Sequence, residues 1–271
     1  MTSARQMHEV NRRAWDEAAA VCERTIDADV ERLRAGQHAL LPEEVRFLGD
    51  LAVWCNRAIH LQCGAGQSTL SLWKLGCKEV VGLDISERMI DCARRKTHAL
   101  QAPARWLRAD VLDAPASLDA TADLVYTGKG ALPWVMDLDA WAAVVTRLLK
   151  PGGTFYCFEG HPLTGALADD SVEVRLAPNT SYFSTVPEQY RGWPAHYLGD
   201  GADLGLPRDQ LSPKFERQWT LGDILTALAR HGLRLSALEE HPQPFWNQFP
   251  RLDPAQAARI PHTFSLLMRK V

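Results

Sequence analysis

The chain has 271 residues, of which 46% are hydrophobic and 23% charged, and thirty Lys plus Arg against thirty-three Asp plus Glu leave a formal charge of -3. That composition excludes an intrinsically disordered chain, and the charge gives no basic field for nucleic acid or an anionic membrane surface. The length suits one large domain, or a core with a substantial insertion, rather than two equal domains.

Residues 7–34 read as an amphipathic helix through Val10, Trp15, Val21, Ile26, Val30 and Leu33, and Pro42 opens a second helix that runs to Val53. Residues 1–56 therefore form a helical cap ahead of any sheet. From 57 to 160, short apolar runs alternate with helical stretches. Strands are expected at 58–61, 79–84, 104–110, 122–126 and 154–159, with helices at 68–75, 87–100 and 139–149. Strands separated by helices of this length pair in parallel through right-handed crossovers, which predicts an α/β, Rossmann-like, doubly wound, mostly parallel sheet. The regularity breaks at about 160–218, a stretch rich in Pro, Gly, Tyr and Trp, which reads as an insertion with its own short elements; strand material is expected at 172–176 and near Tyr182. A helix at 221–230, stopped by Gly232, and strands at 233–238 and 263–268 complete the 57–271 domain.

The strongest local signal is Ile59-His60-Leu61-Gln62-Cys63-Gly64-Ala65-Gly66-Gln67-Ser68, a strand entering a glycine turn and then a helix. The glycines allow close backbone approach to a ligand, and the helix N-terminus offers free N–H groups to an anion. Asp84 ends the next strand, where a carboxylate can accept both hydroxyls of a ribose, and Asp110 ends the third, placed for an adenine amine. A dinucleotide site would want a third glycine where this chain has Thr69. A nicotinamide-dependent oxidoreductase is thereby disfavoured, and the site suits an adenosine with a small zwitterionic tail.

Five segments together resemble the class I S-adenosylmethionine-dependent methyltransferases, bacterial small-molecule branch: Cys63-Gly64-Ala65-Gly66, Gly82-Leu83-Asp84-Ile85-Ser86, Arg108-Ala109-Asp110-Val111, Ala122-Asp123-Leu124-Val125-Tyr126 and Leu148-Leu149-Lys150-Pro151-Gly152-Gly153. The resemblance implies S-adenosyl-L-methionine as cofactor. It places Gly64 and Gly66 under the methionine portion, Asp84 on the ribose, Ile85 and Met89 beside the adenine, and Asp110 with Val111 at its edge. His60 stands where the family has an acidic residue and Gln62 where it has a first glycine, so the cofactor ammonium needs another acceptor. With Cys63 and Thr127 these two complete the expected cofactor set.

Ligands of such sheets lie outside the carboxyl ends of the strands, which puts the methyl acceptor above strands four and five. His161 is the expected general base, since an imidazole titrates near neutrality, with Tyr126 as a second catalytic candidate. Trp15, Lys129, Trp134, Tyr182, Tyr190 and Trp246 are expected to line the acceptor site. The expected acceptor is a small, aromatic or heterocyclic metabolite with an O, N or C nucleophile. A non-methylating cofactor binder is the rival reading. No metal, nucleic acid or membrane partner is expected. The six cysteines lack a C-x-x-C pair and the first residues form no apolar leader, which suits a reducing cytoplasm; the resemblance implies a bacterial protein of secondary metabolism, expected as a monomer or homodimer.

Overall fold

A computed structural model describes residues 2–194, 196–199 and 202–271; positions 195, 200 and 201 of the expected insertion lie outside the described residues. Helices α1 (Ala4–Arg34), α2 (Pro42–Leu48) and α3 (Leu51–Trp54) precede the sheet. There follow β1 (Arg57–Leu61), α4 (Gln67–Lys74), β2 (Glu79–Asp84), α5 (Glu87–Leu100), β3 (Ala104–Arg108), β4 (Ala122–Gly128), α6 (Leu138–Leu148) and β5 (Leu149–Gly160). The last elements are β6 (Glu188–Arg191), β7 (Pro213–Glu216), α7 (Leu221–Arg230), β8 (Leu233–His241), α8 (Pro254–Ala257) and β9 (Thr263–Lys270).

Seven strands form one sheet in the order β3-β2-β1-β4-β5-β9-β8, parallel from β3 to β5, with β9 antiparallel to both β5 and β8. The expected mostly parallel, doubly wound sheet is the one found. Its central strands are buried on both faces, as near-continuous apolar runs require. Alternate residues divide between two layers. Ile59, Leu61, Val81, Val125 and Phe155 meet Trp141, Val145 and Leu148 of α6 and Leu228 of α7. Ala58, Val80, Leu124, Tyr126 and Tyr156 meet Leu48, Leu51 and Leu72 on the other face. Each of these large side chains removed from water contributes about 1.5–3 kcal/mol before entropy is charged against it.

The N-terminal segment divides its labour. Gly49, at φ 59°, breaks the expected single helix after Pro42 into α2 and α3, which pack on the sheet. Only α1 roofs the strand ends. It lies along α5 through Ala18, Ala19, Ile26 and Val30 against Met89 and Cys92, and it is tied to the insertion by a two-way pair: Asn11 donates to the Phe215 carbonyl and accepts from the Phe215 amide.

The insertion differs from expectation. Residues 172–176 are not a strand, and only one isolated bridge, Leu167 to Leu176, touches that segment. Val172, Val174 and Leu176 are all exposed, so the alternation there has no partner to bury against. The insertion instead builds a two-stranded ribbon from β6 and β7. All six cysteines are free, and among the described residues no helix is long and apolar enough to cross a membrane.

Candidate active site

A cleft of about 280 Å³ opens at the carboxyl ends of β1, β2 and β3 beneath α1. His60, Gln62, Cys63, Gly64, Gly66, Asp84, Ile85, Met89, Asp110 and Val111 all line it, as do Trp15, Lys129 and Trp134. Residues from His60 to Val111 are thus gathered by strand order, because parallel pairing brings the ends of β1, β2 and β3 to one edge.

The glycine turn is shaped by two different needs. Gly66, at φ 80°, is the left-handed N-cap of α4, and a Cβ there would stand 2.5 Å from the Trp106 ring and 2.8 Å from the Ala93 Cβ. Gly64, at φ 52°, has no such neighbour within 4 Å and faces open space. Gly66→Ala is therefore expected to cost about 2–4 kcal/mol, the sum of overpacking and left-handed strain, and Gly64→Ala only about 1–2 kcal/mol for the backbone. Urea midpoints of the two variants check the ordering. No side chain caps the α4 N-terminus, so its first N–H groups face the cleft unclaimed by a cap.

Asp84 is held from two sides: Gly64 N–H donates to Oδ2 at 2.7 Å and Ser86 N–H to Oδ1 at 2.9 Å. Burial nevertheless dominates and pushes its carboxyl up to about 6, with the backbone N–H bonds working the other way. Ser86 Oγ also donates to Asp16 Oδ1 of α1, which ties roof to strand end.

Asp110 receives an unforeseen partner. His8 of α1, buried to 4% exposure, places Nδ1 2.9 Å from both carboxylate oxygens. Its Nε2 accepts the Met136 N–H at 3.0 Å, so Nδ1 carries the ring proton that is donated to Asp110. His8, Asn11, Trp15 and Cys22 all line the cleft. They recur at helical spacing, a signal present in the sequence as a stripe of polar and aromatic residues on one face of the first helix.

Gln62, at φ 57°, donates through Nε2 to the Ala131 carbonyl at 2.8 Å, while its Oε1 is buried with no partner. An amide oxygen without a donor in a cleft wall is costly unless a ligand supplies one. His60 is different: its Nδ1 lies 2.8 Å from Thr69 Oγ1, its ring meets Tyr126 edge-on, and burial, assisted by the Lys129 charge, drives its pKa down to about 3. It is a neutral wall residue. Burial also raises the Cys63 thiol well above its ordinary range.

Several expected residues lie elsewhere. Tyr126 is fully buried and donates to Glu44 Oε1 at 2.5 Å, away from the cleft, and burial first and Glu44 second push its hydroxyl well up. It braces α2 on β4 and cannot reach a substrate. Thr127 is likewise buried and donates to the Leu61 carbonyl across the strands. Lys129 touches the cleft, but its Nζ is pinned to Glu44 Oε2 at 2.8 Å and to the Ala39 carbonyl. Tyr182 accepts from the Leu221 N–H and Tyr190 lies under the Lys214 ammonium, so neither lines the cleft.

His161 and Trp246 line a second cavity of about 250 Å³ beside the insertion. His161 Nδ1 accepts the Leu163 N–H, and its Nε2 lies 2.8 Å from Glu240 Oε1 but off the N–H axis. Burial lowers its pKa against the pull of Glu240, so the ring is a turn-fixing group at the mouth of β5 rather than a residue of the cleft. Neighbouring Glu159 accepts four backbone N–H groups, from Gly130, Ala131, Leu132 and Gly160, and thereby shapes the loop between the two cavities. An aromatic cluster of Trp15, Trp134, Trp193 and Tyr197 separates them, with Trp193 and Tyr197 stacked at 5.7 Å.

Comparison with known proteins places this geometry. Residues 59–157 match the family described as methyltransferase domain. A demethylmenaquinone methyltransferase of Staphylococcus saprophyticus is 35% identical over 106 residues, 38% of this chain and 44% of that protein. A bifunctional protein of biotin biosynthesis from Bordetella avium is 39% identical over 98 residues, 36% of this chain and 20% of that protein. The chain thus spans less than half the length of these relatives. Among solved structures, an S-adenosylmethionine-dependent methyltransferase of Mesorhizobium loti superposes with a TM-score of 0.59 at 23% identity, covering 84% of this chain and 96% of that one. A geranyl diphosphate C-methyltransferase of Streptomyces coelicolor gives 0.56 at 16% identity over 84% and 76%. Residues 59–157 are thus similar to the methyltransferase domain, and the chain has the class I S-adenosylmethionine-dependent methyltransferase fold.

Proposed function

We propose that the chain is an S-adenosylmethionine-dependent methyltransferase that acts on a small molecule. The observation that carries this reading is Asp84: a buried carboxylate at the end of β2, lining the cleft, with each oxygen already fixed by one backbone N–H and free lone pairs left for hydroxyl donors. The donor set of the cleft fits such a cofactor at every charged or polar part. Asp84 holds the ribose, Ile85, Met89 and Val111 enclose the adenine, and Asp110 accepts from its amine while His8 keeps that carboxylate oriented. Gln62 Oε1, unpartnered in the wall, takes the ammonium, and the uncapped N-terminus of α4 takes the carboxylate.

When bound, the cofactor supplies a methyl on a sulfonium, an electrophile that needs positioning more than acid–base help. The residues of this chain then have three tasks: to orient the sulfonium toward the insertion, to exclude water with the roof of α1 and the aromatic cluster around Trp134, and to bring the acceptor in line. Neither Tyr126 nor His161 is needed for them. The acceptor is a small aromatic or heterocyclic metabolite, a reading supported by the aromatic walls of the second cavity.

Calorimetric titration with S-adenosylhomocysteine and with NAD is the direct test, followed by transfer of a labelled methyl group to a metabolite panel. Micromolar binding of S-adenosylhomocysteine with none of NAD, and label on an acceptor, is the expected result. NAD binding alone would replace this reading with an oxidoreductase, and cofactor binding without turnover on any acceptor would replace it with a non-methylating binder.

A further inference from the structure

The second cavity has a charge that the cofactor cleft does not explain. In the ribbon, Glu188 of β6 stands directly opposite Glu216 of β7 in register, and both line the cavity. Like charges directly opposed across an antiparallel pair are destabilising, and Glu216 is half-buried, its pKa raised by burial against the pull of the Tyr190 hydroxyl and Lys214. A sequence that keeps two such groups facing a cavity keeps them at a cost in stability, a pattern expected at functional sites.

The other charged groups around them offset this field only in part. Glu159 is saturated by its four backbone donors, and Asp169 adds a further negative charge at the exposed rim. Arg217, the cation among the described lining residues, stacks its guanidinium over Trp219 at 3.8 Å and directs Nη1 to the Met136 carbonyl. Lys214, two residues before Glu216 on β7, attracts that carboxylate, while its ammonium points to the Gly192 carbonyl and lies over the Tyr190 and Trp193 rings. His161 is neutral, its pKa lowered by burial.

The cavity also adjoins the cleft. Gly130 lines both, and a Cβ there would stand 2.6 Å from Tyr197 Oη, so a bare backbone separates the two spaces beside that hydroxyl. Tyr197, Phe245 and Trp246 supply flat apolar walls, with Trp246 edge-on to Tyr197 at 5.2 Å. Aromatic faces around a carboxylate form a receptor for an organic cation.

We propose that this cavity is the methyl-acceptor pocket and that it selects a small aromatic molecule bearing a protonated amine, which Glu216 binds directly and Glu188 attracts at the rim. The proposal rests on the methyltransferase reading for the word acceptor, and on the cavity alone for the class of ligand.

Tyramine and 3-(4-hydroxyphenyl)propionate share a ring and a chain length and differ in the sign of charge. Titrated into the full chain with and without saturating S-adenosylhomocysteine, tyramine is expected to bind at least tenfold more tightly than the acid. Glu216→Gln is expected to weaken tyramine at least tenfold without weakening the acid, while S-adenosylhomocysteine still binds. Glu188→Gln is expected to weaken tyramine about threefold, and it carries the test should Glu216→Gln fail to fold. Binding of neither probe, equal binding, preference for the acid, or a preference that survives both variants overturns the proposal. Failure of S-adenosylhomocysteine to bind overturns the methyltransferase reading instead, and the tyramine titration without it still decides the ligand class.

Discussion

Asp84→Asn is expected to weaken S-adenosylhomocysteine binding roughly 100-fold at pH 7.5, the loss of charge-assisted hydrogen bonds amounting to ~3 kcal/mol. The asparagine is nearly isosteric, so the effect is chemical. Both Asp84 oxygens accept backbone N–H groups, from Gly64 and Ser86. An amide has one oxygen, so its NH2 must face one of those two donors, and either the Gly64 turn or the start of α5 is pushed off its position. The ribose then loses a charged acceptor and the turn beneath the methionine portion loses its anchor together.

The same residue gives a pH dependence whose sign is fixed. Burial raises the Asp84 carboxyl from its ordinary 3.8 to about 6. A raised carboxyl binds its proton more tightly in the folded chain than in the unfolded one, so its ionisation imposes a loss of folding stability; this loss is absent below about pH 4 and complete above about pH 6. Cofactor affinity moves oppositely, because only the ionised group accepts both hydroxyls. Affinity for S-adenosylhomocysteine is expected to be level above pH 7 and to fall toward tenfold per pH unit below about 6. In Asp84→Asn the profile is expected to be flat across that window. A wild-type affinity unchanged down to pH 5 would remove the carboxylate from ribose recognition.

What the sequence made legible follows from how local each signal is. The glycine turn, Asp84, Ile85 and Met89 were readable because a strand end, a left-handed turn and a helix start lie within a few residues of one another, and parallel pairing then fixes where they meet. Tyr126 was misread for a related reason: its place at the end of β4 is correct, but the parity of a strand decides which face a side chain takes, and Tyr126 turns to Glu44 on the opposite face. The partner lies 82 positions away on α2. His8 on Asp110 is equally non-local, since no pattern within α1 names the residue it touches. The insertion resisted for another reason. Residues 172–176 alternate well yet find no partner strand, whereas Glu-Gln-Tyr-Arg and Pro-Lys-Phe-Glu pair although neither alternates clearly. Pairing there is selected by Asn11 and the roof, not by propensity.

Lys96→Met is expected to destabilise the fold by about 3–5 kcal/mol, a large part of a typical domain's stability. Lys96 and Asp29 are both buried and lie 2.8 Å apart, joining α5 to α1. Removing the lysine leaves the buried Asp29 carboxylate with only the Thr25 hydroxyl at 3.4 Å and the exposed Arg32 guanidinium at 3.8 Å. The double variant Lys96→Met with Asp29→Leu is expected to recover most of that loss, because replacing a whole buried pair by apolar groups of similar volume is often close to neutral. Function is expected to part from stability at this point. Lys96 Nζ also donates at 3.1 Å to the carbonyl of Ala65, which lies between the two glycines of the turn. No apolar residue restores that bond, so the double variant is expected to keep a five- to tenfold weaker affinity for S-adenosylhomocysteine, about 1–1.5 kcal/mol for one lost hydrogen bond. Urea unfolding and calorimetry on the same three proteins separate the two effects. Full recovery of both would make the pair a structural tie alone, and recovery of stability without affinity would show that the ion pair between roof and α5 also holds the turn on which the cofactor rests.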